Sequence, residues 1–383
     1  MSIIAGYSAP SSQFGKINLA IWEYASPAST SNPALNLSNN PTNYLSSARS
    51  SGLKCVATIL APWNSGMNAL LKDSTYRAQL IANISNLVIS YGFDGVAVDW
   101  ECDNQDITAA QLTTFYQELR SALGSTKIIC TAENYGKVVF ETAILNYIDW
   151  IGLMIYDVGD PVNNIPWYGT YTQFQTEIQR WIGAGFPANR LVAGISFAAR
   201  LGIAASGWYS YATVSGSDPN ANINNNYYYN GKALVDQKCK YAVGLGLGGI
   251  FTYASSFDRT DSLSLLDTIV ANMGSSPPPP SGFPAGKPKT ALVPVTVVPS
   301  GLPCEVEVFL GIDQSTPAST SGKLSLVSTG AVQNVNCPVT MPASPGIYNV
   351  YINLYILGSL FSSFVSTVPV SVYSGSVGEP TWP

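Results

Sequence analysis

The chain has 383 residues, of which 46% are hydrophobic and only 11% are charged, and its formal net charge is −5. This length accommodates one large domain and a smaller one, and the composition excludes a disordered chain or a nucleic-acid-binding protein. The sequence contains no histidine. Ser-His-Asp and Cys-His catalysis and histidine-ligated metal sites are therefore excluded, and acid–base chemistry falls to Asp, Glu, Tyr or Lys.

From the start of the chain to about residue 273, short apolar strands alternate with amphipathic helical segments. Helical spacing is clearest at Thr75–Tyr91, Tyr171–Ile182 and Lys232–Val243, and Thr108 with Gln111 has the pattern of a capping box. Eight strands separated by helices predict an α/β fold, a TIM (β/α)8 barrel, over residues 1–274. We predict these strands at Ile3–Tyr7, Asn18–Tyr24, Leu53–Leu60, Gly95–Asp99, Lys127–Ala132, Trp150–Tyr156, Arg190–Phe197 and Gly248–Ala254.

A proline-rich segment follows the predicted barrel. Residues 275–288 read SSPPPPSGFPAGKP, which predicts a stiff, extended linker. Beyond it, residues 289–383 contain only strand-like runs with alternating apolar residues. We expect a small all-β domain there, an immunoglobulin-like sandwich.

Four of the six cysteines bear on the fold. Cys55 and Cys130 lie in apolar strand-like runs and are predicted to be buried thiols. Cys304 and Cys337 are alone together in the β-rich region and look like a disulfide pair. The sequence has no C-x-x-C motif, so we predict no structural zinc site.

The composition also bears on location. No apolar run approaches the length of a membrane helix, and MSIIAGYSAP lacks a basic region followed by a long apolar core. The many Ser, Thr, Asn and Tyr residues are typical of an extracellular, cell-surface or virion-surface protein. We therefore expect such a location, reached through a signal removed from the chain or by another route such as lysis.

The stretch Phe93–Glu101 reads FDGVAVDWE and joins a turn, a short apolar strand and two carboxylates, Asp99 and Glu101. Alternate side chains of a strand share a face, so both acids point the same way, about 7 Å apart. A buried strand carries stacked acids where something binds or reacts there. For an isolated Asp-x-Glu, the alternative is a solvated or ion-paired loop mouth.

The segment DGVAVDWE resembles the signature of family 18 glycoside hydrolases, the chitinases and endo-β-N-acetylglucosaminidases. Their usual pattern is D-G-x-D-x-D-x-E, which the chain matches at Asp94, Gly95, Asp99 and Glu101. It departs from the pattern at Ala97, where the family usually has an Asp. The resemblance covers the whole first domain and implies the barrel fold.

Other strand ends carry the same resemblance. The sixth strand ends in Met154-Ile155-Tyr156-Asp157, which is similar to the family's M-x-Y-D motif beside the substrate's acetamido group. The eighth strand places Tyr253 where the family usually has a Trp as the floor of the sugar site. The third strand, ATILAPW, stands where the family commonly has S-x-G-G, and it lacks both glycines.

The resemblance implies substrate-assisted, retaining hydrolysis of β-1,4-linked N-acetylglucosamine, in which the substrate's N-acetyl oxygen is the nucleophile. Glu101 would protonate the leaving group and then activate water. Asp99 would hold the acetamido N–H, and Tyr156 would hydrogen-bond the acetamido oxygen. No metal or cofactor is required.

Four residues are predicted to bind substrate. By the resemblance, Asp157 would bind the sugar ring, Met154 would lie beside the acetamido group and Tyr253 would form the floor. Trp63, in a loop, offers an aromatic face on which a sugar can stack. The alternatives are that Asp157 only caps a turn and that the aromatic side chains are packing residues.

Two functions remain open. The first is hydrolysis of chitin, chitooligosaccharides or the chitobiose core of N-glycans, and Glu101 favours it. The second is a non-catalytic carbohydrate-binding or structural surface protein, which Ala97 and the altered third strand favour.

Three further expectations concern the site and the second domain. With Ala97 beneath it, Asp99 is expected to remain an ordinary ionised carboxylate. The short stretch 201–231 predicts a shallow, open cleft. The second domain would bind glycan, act as a spacer or attach the protein to a larger assembly.

Overall fold

The computed structural model describes residues 2–62, 65–101, 106–134, 136–159, 166–203, 206–273, 282–312, 314, 316–366 and 370–373. The chain divides into two compact units, Met1–Ser276 and Pro277–Pro383. None of the helices in these described ranges is long and apolar enough to cross a membrane.

Strands and helices alternate along the first unit. Its strands are β1 (Ile3–Tyr7), β2 (Leu19–Ser29), β3 (Asn32–Leu37), β4 (Lys54–Ala61), β5 (Gly95–Trp100), β6 (Ile128–Asn134), β7 (Trp150–Met154), β8 (Leu191–Ser196), β9 (Ala198–Leu201), β10 (Ser206–Ser210), β11 (Ile223–Asn224), β12 (Tyr227–Tyr228) and β13 (Gly249–Tyr253). Its helices are α1 (Thr42–Ser50), α2 (Asn68–Lys72), α3 (Ser74–Tyr91), α4 (Ala109–Leu123), α5 (Tyr171–Gly183), α6 (Tyr211–Val214), α7 (Lys232–Leu245) and α8 (Leu265–Met273).

Eight parallel strands form a closed barrel. Their order is β1-β13-β8-β7-β6-β5-β4-β2, and pairing of β1 with β2 closes it. The barrel strands match the eight predicted ones within about two residues at each end, except that β2 continues to Ser29 and pairs with β3. The predicted barrel is confirmed.

Local sequence signals explain where β5 and its helices start. Gly95 opens β5 so close to β6 that a Cβ would lie 1.9 Å from the Ile128 carbonyl oxygen. Asp94, beside it, accepts a hydrogen bond of 2.8 Å from the Cys55 backbone N–H. The Asp-Gly pair therefore fixes the entry of the strand that carries the acids. Thr108 and Gln111 form the predicted capping box of α4.

Small and apolar side chains, among them that of Cys130, fill the barrel interior. Cys55 and Cys130 are both buried free thiols, as predicted. One addition to the barrel was not predicted. Strands β9 to β12 form a four-stranded antiparallel sheet in the order β10-β9-β12-β11, within the stretch predicted to leave an open cleft. This small sheet contributes side chains to the site described below.

The second unit is built of mostly antiparallel sheets. Strands β14, β21, β19, β16 and β17 are hydrogen-bonded in that order, β20 also pairs with β19, and β15 pairs with β18. Strand β14 lies inside the segment predicted as linker. The strands are β14 (Gly282–Pro284), β15 (Pro288–Val295), β16 (Pro303–Gly311), β17 (Pro317–Val327), β18 (Gln333–Thr340), β19 (Gly346–Ile356), β20 (Ser359–Val365) and β21 (Val370–Tyr373).

The predicted disulfide between Cys304 and Cys337 is wrong, because both are buried free thiols. Cys304 lies on β16 and Cys337 on β18, which belong to different sheets. The sulfur of Cys304 lies 3.4 Å from the Leu302 carbonyl oxygen, and that of Cys337 lies 3.8 Å from the Val335 carbonyl oxygen. Each thiol therefore packs as a small apolar residue beside its own backbone.

Candidate active site

The carboxyl ends of the barrel strands line a cavity of about 670 Å³. This is the end of a (β/α)8 barrel at which catalytic groups gather. Trp63, also predicted to bind substrate, lies outside the described residues. The cavity lining includes the other predicted site residues, Asp99, Glu101, Met154, Tyr156, Asp157 and Tyr253.

Strand β5 brings Asp99 and Glu101 to the cavity and turns Trp100 away from it. The Trp100 indole N–H donates a 2.9 Å hydrogen bond to the side chain of Asn68. The backbone N–H of Glu101 donates to the Ala61 carbonyl oxygen at 2.9 Å. Asp99 has one buried carboxyl oxygen, Oδ1, with no hydrogen-bond partner in the described part of the chain. This oxygen is available to a ligand in the cavity.

The protonation of Asp99 differs from the expectation. Burial raises the pKa of Asp99 well above its usual range, and the carboxylates of Glu101 and Glu23 raise it further. The prediction of an ordinary ionised carboxylate above Ala97 is therefore wrong. Desolvation, Glu101 at the end of the same strand and Glu23 on β2 raise the pKa of Asp99, although Ala97 supplies no acid.

Two further acids line the cavity that sequence reasoning missed, Glu23 on β2 and Glu133 on β6. Glu133 is 4% exposed and accepts a 2.7 Å hydrogen bond from the Thr131 hydroxyl. Burial raises the pKa of Glu133 well above its usual range. Glu23 accepts a short hydrogen bond from the Ser8 hydroxyl. The available signal was an acid at the end of each of two predicted strands.

Aromatic rings form one wall of the cavity. The rings of Tyr156 and Tyr253 stack at an interplanar angle of 13° with centroids 6.0 Å apart. Tyr7 meets Tyr253 edge-on at 5.9 Å. Gly194 on β8 leaves room for this arrangement, since a Cβ there would lie 2.8 Å from a ring carbon of Tyr156. Burial raises the pKa of Tyr156 well above its usual range, so its hydroxyl stays a hydrogen-bond donor.

Asp157 is held by hydrogen bonds to two other segments of the chain. Its backbone N–H donates to the Trp167 carbonyl oxygen at 2.8 Å, and its carboxylate accepts a 3.1 Å hydrogen bond from Nε of Arg200. Arg200 belongs to β9, in the small sheet that was not predicted. Its guanidinium carbon lies 3.5 Å from the ring centroid of Trp208, which also lines the cavity. The pKa of Asp157 is raised overall, because burial raises it more than the nearby Arg200 lowers it.

The sequence profile of the glycosyl hydrolases family 18 matches residues 12–258, which is more than half of the chain. The chain belongs to this family. The match includes the two strand-end motifs on which the resemblance rested. Among the described residues, no group of three or more Cys, Asp or Glu side chains is arranged to hold a metal ion.

A curated relative of the family 18 chain is Chitinase 1 of Aphanocladium album. The two are 23% identical over an alignment of 269 positions, and the alignment covers 56% of this chain and 63% of that protein. The alignment thus spans less than two thirds of that relative's length.

Solved structures share the fold of the family 18 barrel. A chitinase from Bacteroides thetaiotaomicron has a TM-score of 0.63 at 19% identity, over 71% of this chain and 96% of that one. A chitinase-like agglutinin from Robinia pseudoacacia has a TM-score of 0.59 at 18% identity, over 70% of this chain and 98% of that one. At these identities the likeness establishes the barrel alone.

Proposed function

We propose that the barrel hydrolyses β-1,4-linked N-acetylglucosamine by substrate-assisted, retaining catalysis. The observation that carries this proposal is the convergence of Asp99, Glu101 and Tyr156 on one cavity with an aromatic wall. These groups supply a proton donor, an acceptor for the acetamido N–H and a donor for the acetamido oxygen. The family assignment supports chitin-type glycoside hydrolysis.

In this mechanism Glu101 protonates the leaving oxygen and then takes a proton from the attacking water. The substrate's N-acetyl oxygen attacks the anomeric carbon while the glycosidic bond breaks. Ionised Asp99 accepts the acetamido N–H and stabilises the positive charge of the ring that forms. The Tyr156 hydroxyl donates to the acetamido oxygen and holds it in line for attack.

Two aromatic side chains suit a sugar ring. Tyr253 lines the cavity beside Tyr156, at the position predicted for the floor. Trp208 contacts Tyr253 edge-on, with centroids 5.5 Å apart, and is 44% exposed. Aromatic faces bind the apolar side of a pyranose, so both are proposed as stacking platforms. A polymeric substrate of this kind fits the extracellular or surface location proposed from composition.

The second candidate is a carbohydrate-binding protein without hydrolysis. The stretch ATILAPW on β4 lacks both glycines of the family's usual S-x-G-G, and Ala97 stands where the family usually has an acid. A neighbour with the same barrel is named an agglutinin. Both candidates use the same cavity and differ in whether Glu101 transfers a proton.

Fluorogenic chitobiose and chitotriose separate the two candidates. We expect the wild type to release the fluorophore and Glu101→Gln to be slower by about 10²- to 10⁴-fold, the usual contribution of an acid–base group. The matched control is Glu141→Gln, an exposed acid that does not line the cavity. Isothermal titration of both variants with chitotriose checks that the site still binds. If the wild type binds but cleaves neither chitooligosaccharides nor an N-glycan, the binding protein replaces the hydrolase.

A further inference from the structure

Glu23 is an acid that the proposed mechanism does not use. It lies on β2, and β4 separates β2 from β5 in the barrel. Both Glu23 and Asp99 line the cavity, and the negative charge of Glu23 acts on Asp99. Two carboxyl groups that interact strongly in a partly desolvated site titrate as a pair and not independently.

The backbone around Ser8 is arranged to hold the Glu23 carboxylate. Ser8 follows β1 and has a φ of 48°, a left-handed conformation that is uncommon for a residue other than glycine. Its backbone N–H donates to the Ile21 carbonyl oxygen at 3.1 Å, and its hydroxyl donates to Glu23. Conformations of this kind cluster at functional sites, where the surroundings hold them in place.

The protonation of the cavity acids distinguishes Glu23 from the others. Glu133 is deeply buried, and burial favours its neutral form. Glu101 needs its own proton for the leaving group. Both Glu133 and Glu23 accept a side-chain hydrogen bond that lowers the pKa, but Glu23 is less buried and its pKa is raised less than that of Glu133. Glu23 is therefore the acid best suited to be ionised while Asp99 is still protonated.

We propose that Glu23 is a positioning residue for Asp99, and that the two carboxyl groups keep one proton between them. This inference rests on the proposed function. In the empty site the proton is on Asp99 and Glu23 is ionised. When substrate binds, Asp99 must be ionised to accept the acetamido N–H, and Glu23 takes up the proton that Asp99 gives up. Asp99 regains it when product leaves.

Several other groups face Asp99 and could also change its titration. The acids are Glu101 and Glu133, with Asp157 on the same cavity wall. The phenols are those of Tyr7, Tyr156 and Tyr253, and Lys137 also lines the cavity. The test must therefore change the charge of Glu23 alone.

The first measurement does not depend on hydrolysis. Carbon-13 NMR of protein labelled at the aspartate carboxyl follows the titration of Asp99, whose signal is assigned by its loss in Asp99→Asn. We expect Glu23→Gln to move this titration to lower pH, because a nearby negative charge is removed. The matched control is Glu141→Gln, an exposed acid away from the cavity, which should leave it unchanged.

The second measurement is a double-mutant cycle on chitotriose hydrolysis. We expect Glu23→Gln to lower kcat by about 10-fold in the wild type, because no second carboxylate then takes up the proton that Asp99 gives up when substrate binds. In the Asp99→Asn background it should have no further effect. If Glu23 only bound a sugar hydroxyl, KM would rise by the same factor in both backgrounds. If Glu23→Gln folds poorly, Ser8→Ala tests the same coupling more mildly. It removes the hydrogen bond to Glu23, so the pKa of Glu23 rises and its carboxylate is ionised to a smaller extent.

An unchanged Asp99 titration in Glu23→Gln, or additive effects in the cycle, would overturn the inference while leaving hydrolysis intact. A shifted titration in a protein that cleaves no substrate would leave the Glu23–Asp99 pair in place. In that case it is the proposed function that fails.

Discussion

The guanidinium of Arg200 lies over the indole ring of Trp208, with its carbon 3.5 Å from the ring centroid. The same guanidinium hydrogen-bonds the carboxylate of Asp157. Arg200 is 8% exposed, whereas Trp208 is 44% exposed. A buried cation with a fixed carboxylate partner therefore holds an exposed aromatic ring at the cavity. Asp157 thus affects the sugar site partly through Trp208.

Trp208→Ala should weaken binding of chitotriose by about 10-fold, which corresponds to about 1.4 kcal/mol. The reason is the loss of a stacking surface that Arg200 holds in place. Titration calorimetry in a Glu101→Gln background measures the affinity without turnover. Trp208→Phe keeps a ring at this position and should lose less. Unchanged affinity in Trp208→Ala would show that the ring is only a packing residue.

Lys238 on α7 makes stability depend on pH. It is fully buried, and Nζ donates to the Gly169 carbonyl oxygen at 2.5 Å and to Oδ1 of Asn230 at 2.6 Å. Burial lowers the pKa of Lys238 from 10.5 to about 7. Between these two values the unfolded chain binds more protons than the native one, so the contribution of Lys238 to stability rises with pH.

We therefore expect the wild type to gain stability over Lys238→Met as pH rises from about 7 to about 10. Each unit of pKa difference corresponds to about 1.4 kcal/mol, so the total gain is a few kcal/mol. Urea unfolding of both proteins across this range measures it. Lys232→Met, at the start of the same helix, is the control and should show a flat difference. A flat difference for Lys238→Met as well would mean that the buried amine stays charged.

The sequence predicts those site residues that directly follow an apolar strand-like run. Asp99, Glu101 and Tyr156 follow short apolar runs, and the closed barrel brings the ends of such runs together. Glu23 and Arg200 were missed, although Glu23 stands at the end of a predicted strand, because their roles depend on contacts with Ser8 and Asp157 that are distant in sequence. No local pattern contains those contacts.

Two wrong predictions have the same origin. The disulfide was predicted because Cys304 and Cys337 share one β-rich region, but both are free thiols, and each sulfur lies against the carbonyl oxygen of the residue two positions before it. The protonation of Asp99 was predicted from Ala97 alone, whereas burial raises its pKa most, followed by Glu101 and by Glu23 on β2. Both properties depend on the tertiary structure, which a single strand does not specify.

The second unit offers a testable surface for accessory sugar binding. Phe361 and Phe364 on β20 are 70% and 57% exposed. We expect the Phe361→Ser/Phe364→Ser variant of the full chain to bind insoluble chitin less tightly, because exposed aromatic rings stack on sugars. The control is Leu292→Ser on β15, an exposed aliphatic residue. Equal retention of all three proteins on chitin would leave the spacer and attachment roles.

The surroundings of Ala97 determine whether the barrel accommodates the acid that the family usually has at this position. Ala97 is fully buried, and its partner in the β4–β5 register is Thr58. The Thr58 hydroxyl is buried and has no hydrogen-bond partner among the residues that the structure describes. In Ala97→Asp, this hydroxyl can donate one hydrogen bond to the new carboxyl group. The remaining surroundings are apolar, since Cys130 and Phe251 belong to the same interior cluster.

We therefore expect Ala97→Asp to lower the free energy of unfolding by about 2–3 kcal/mol near neutral pH. The loss should shrink at acid pH, where the carboxyl group is protonated in both the folded and unfolded states. Turnover should not rise, because a second buried acid raises the pKa of Asp99 further. Urea unfolding and chitotriose hydrolysis test both statements, with Ala97→Val as the control for added bulk. Adding Thr58→Val should cost about 1 kcal/mol more in Ala97→Asp than in the wild type. A stable Ala97→Asp enzyme with faster turnover would show instead that the barrel interior still accommodates the family's acid.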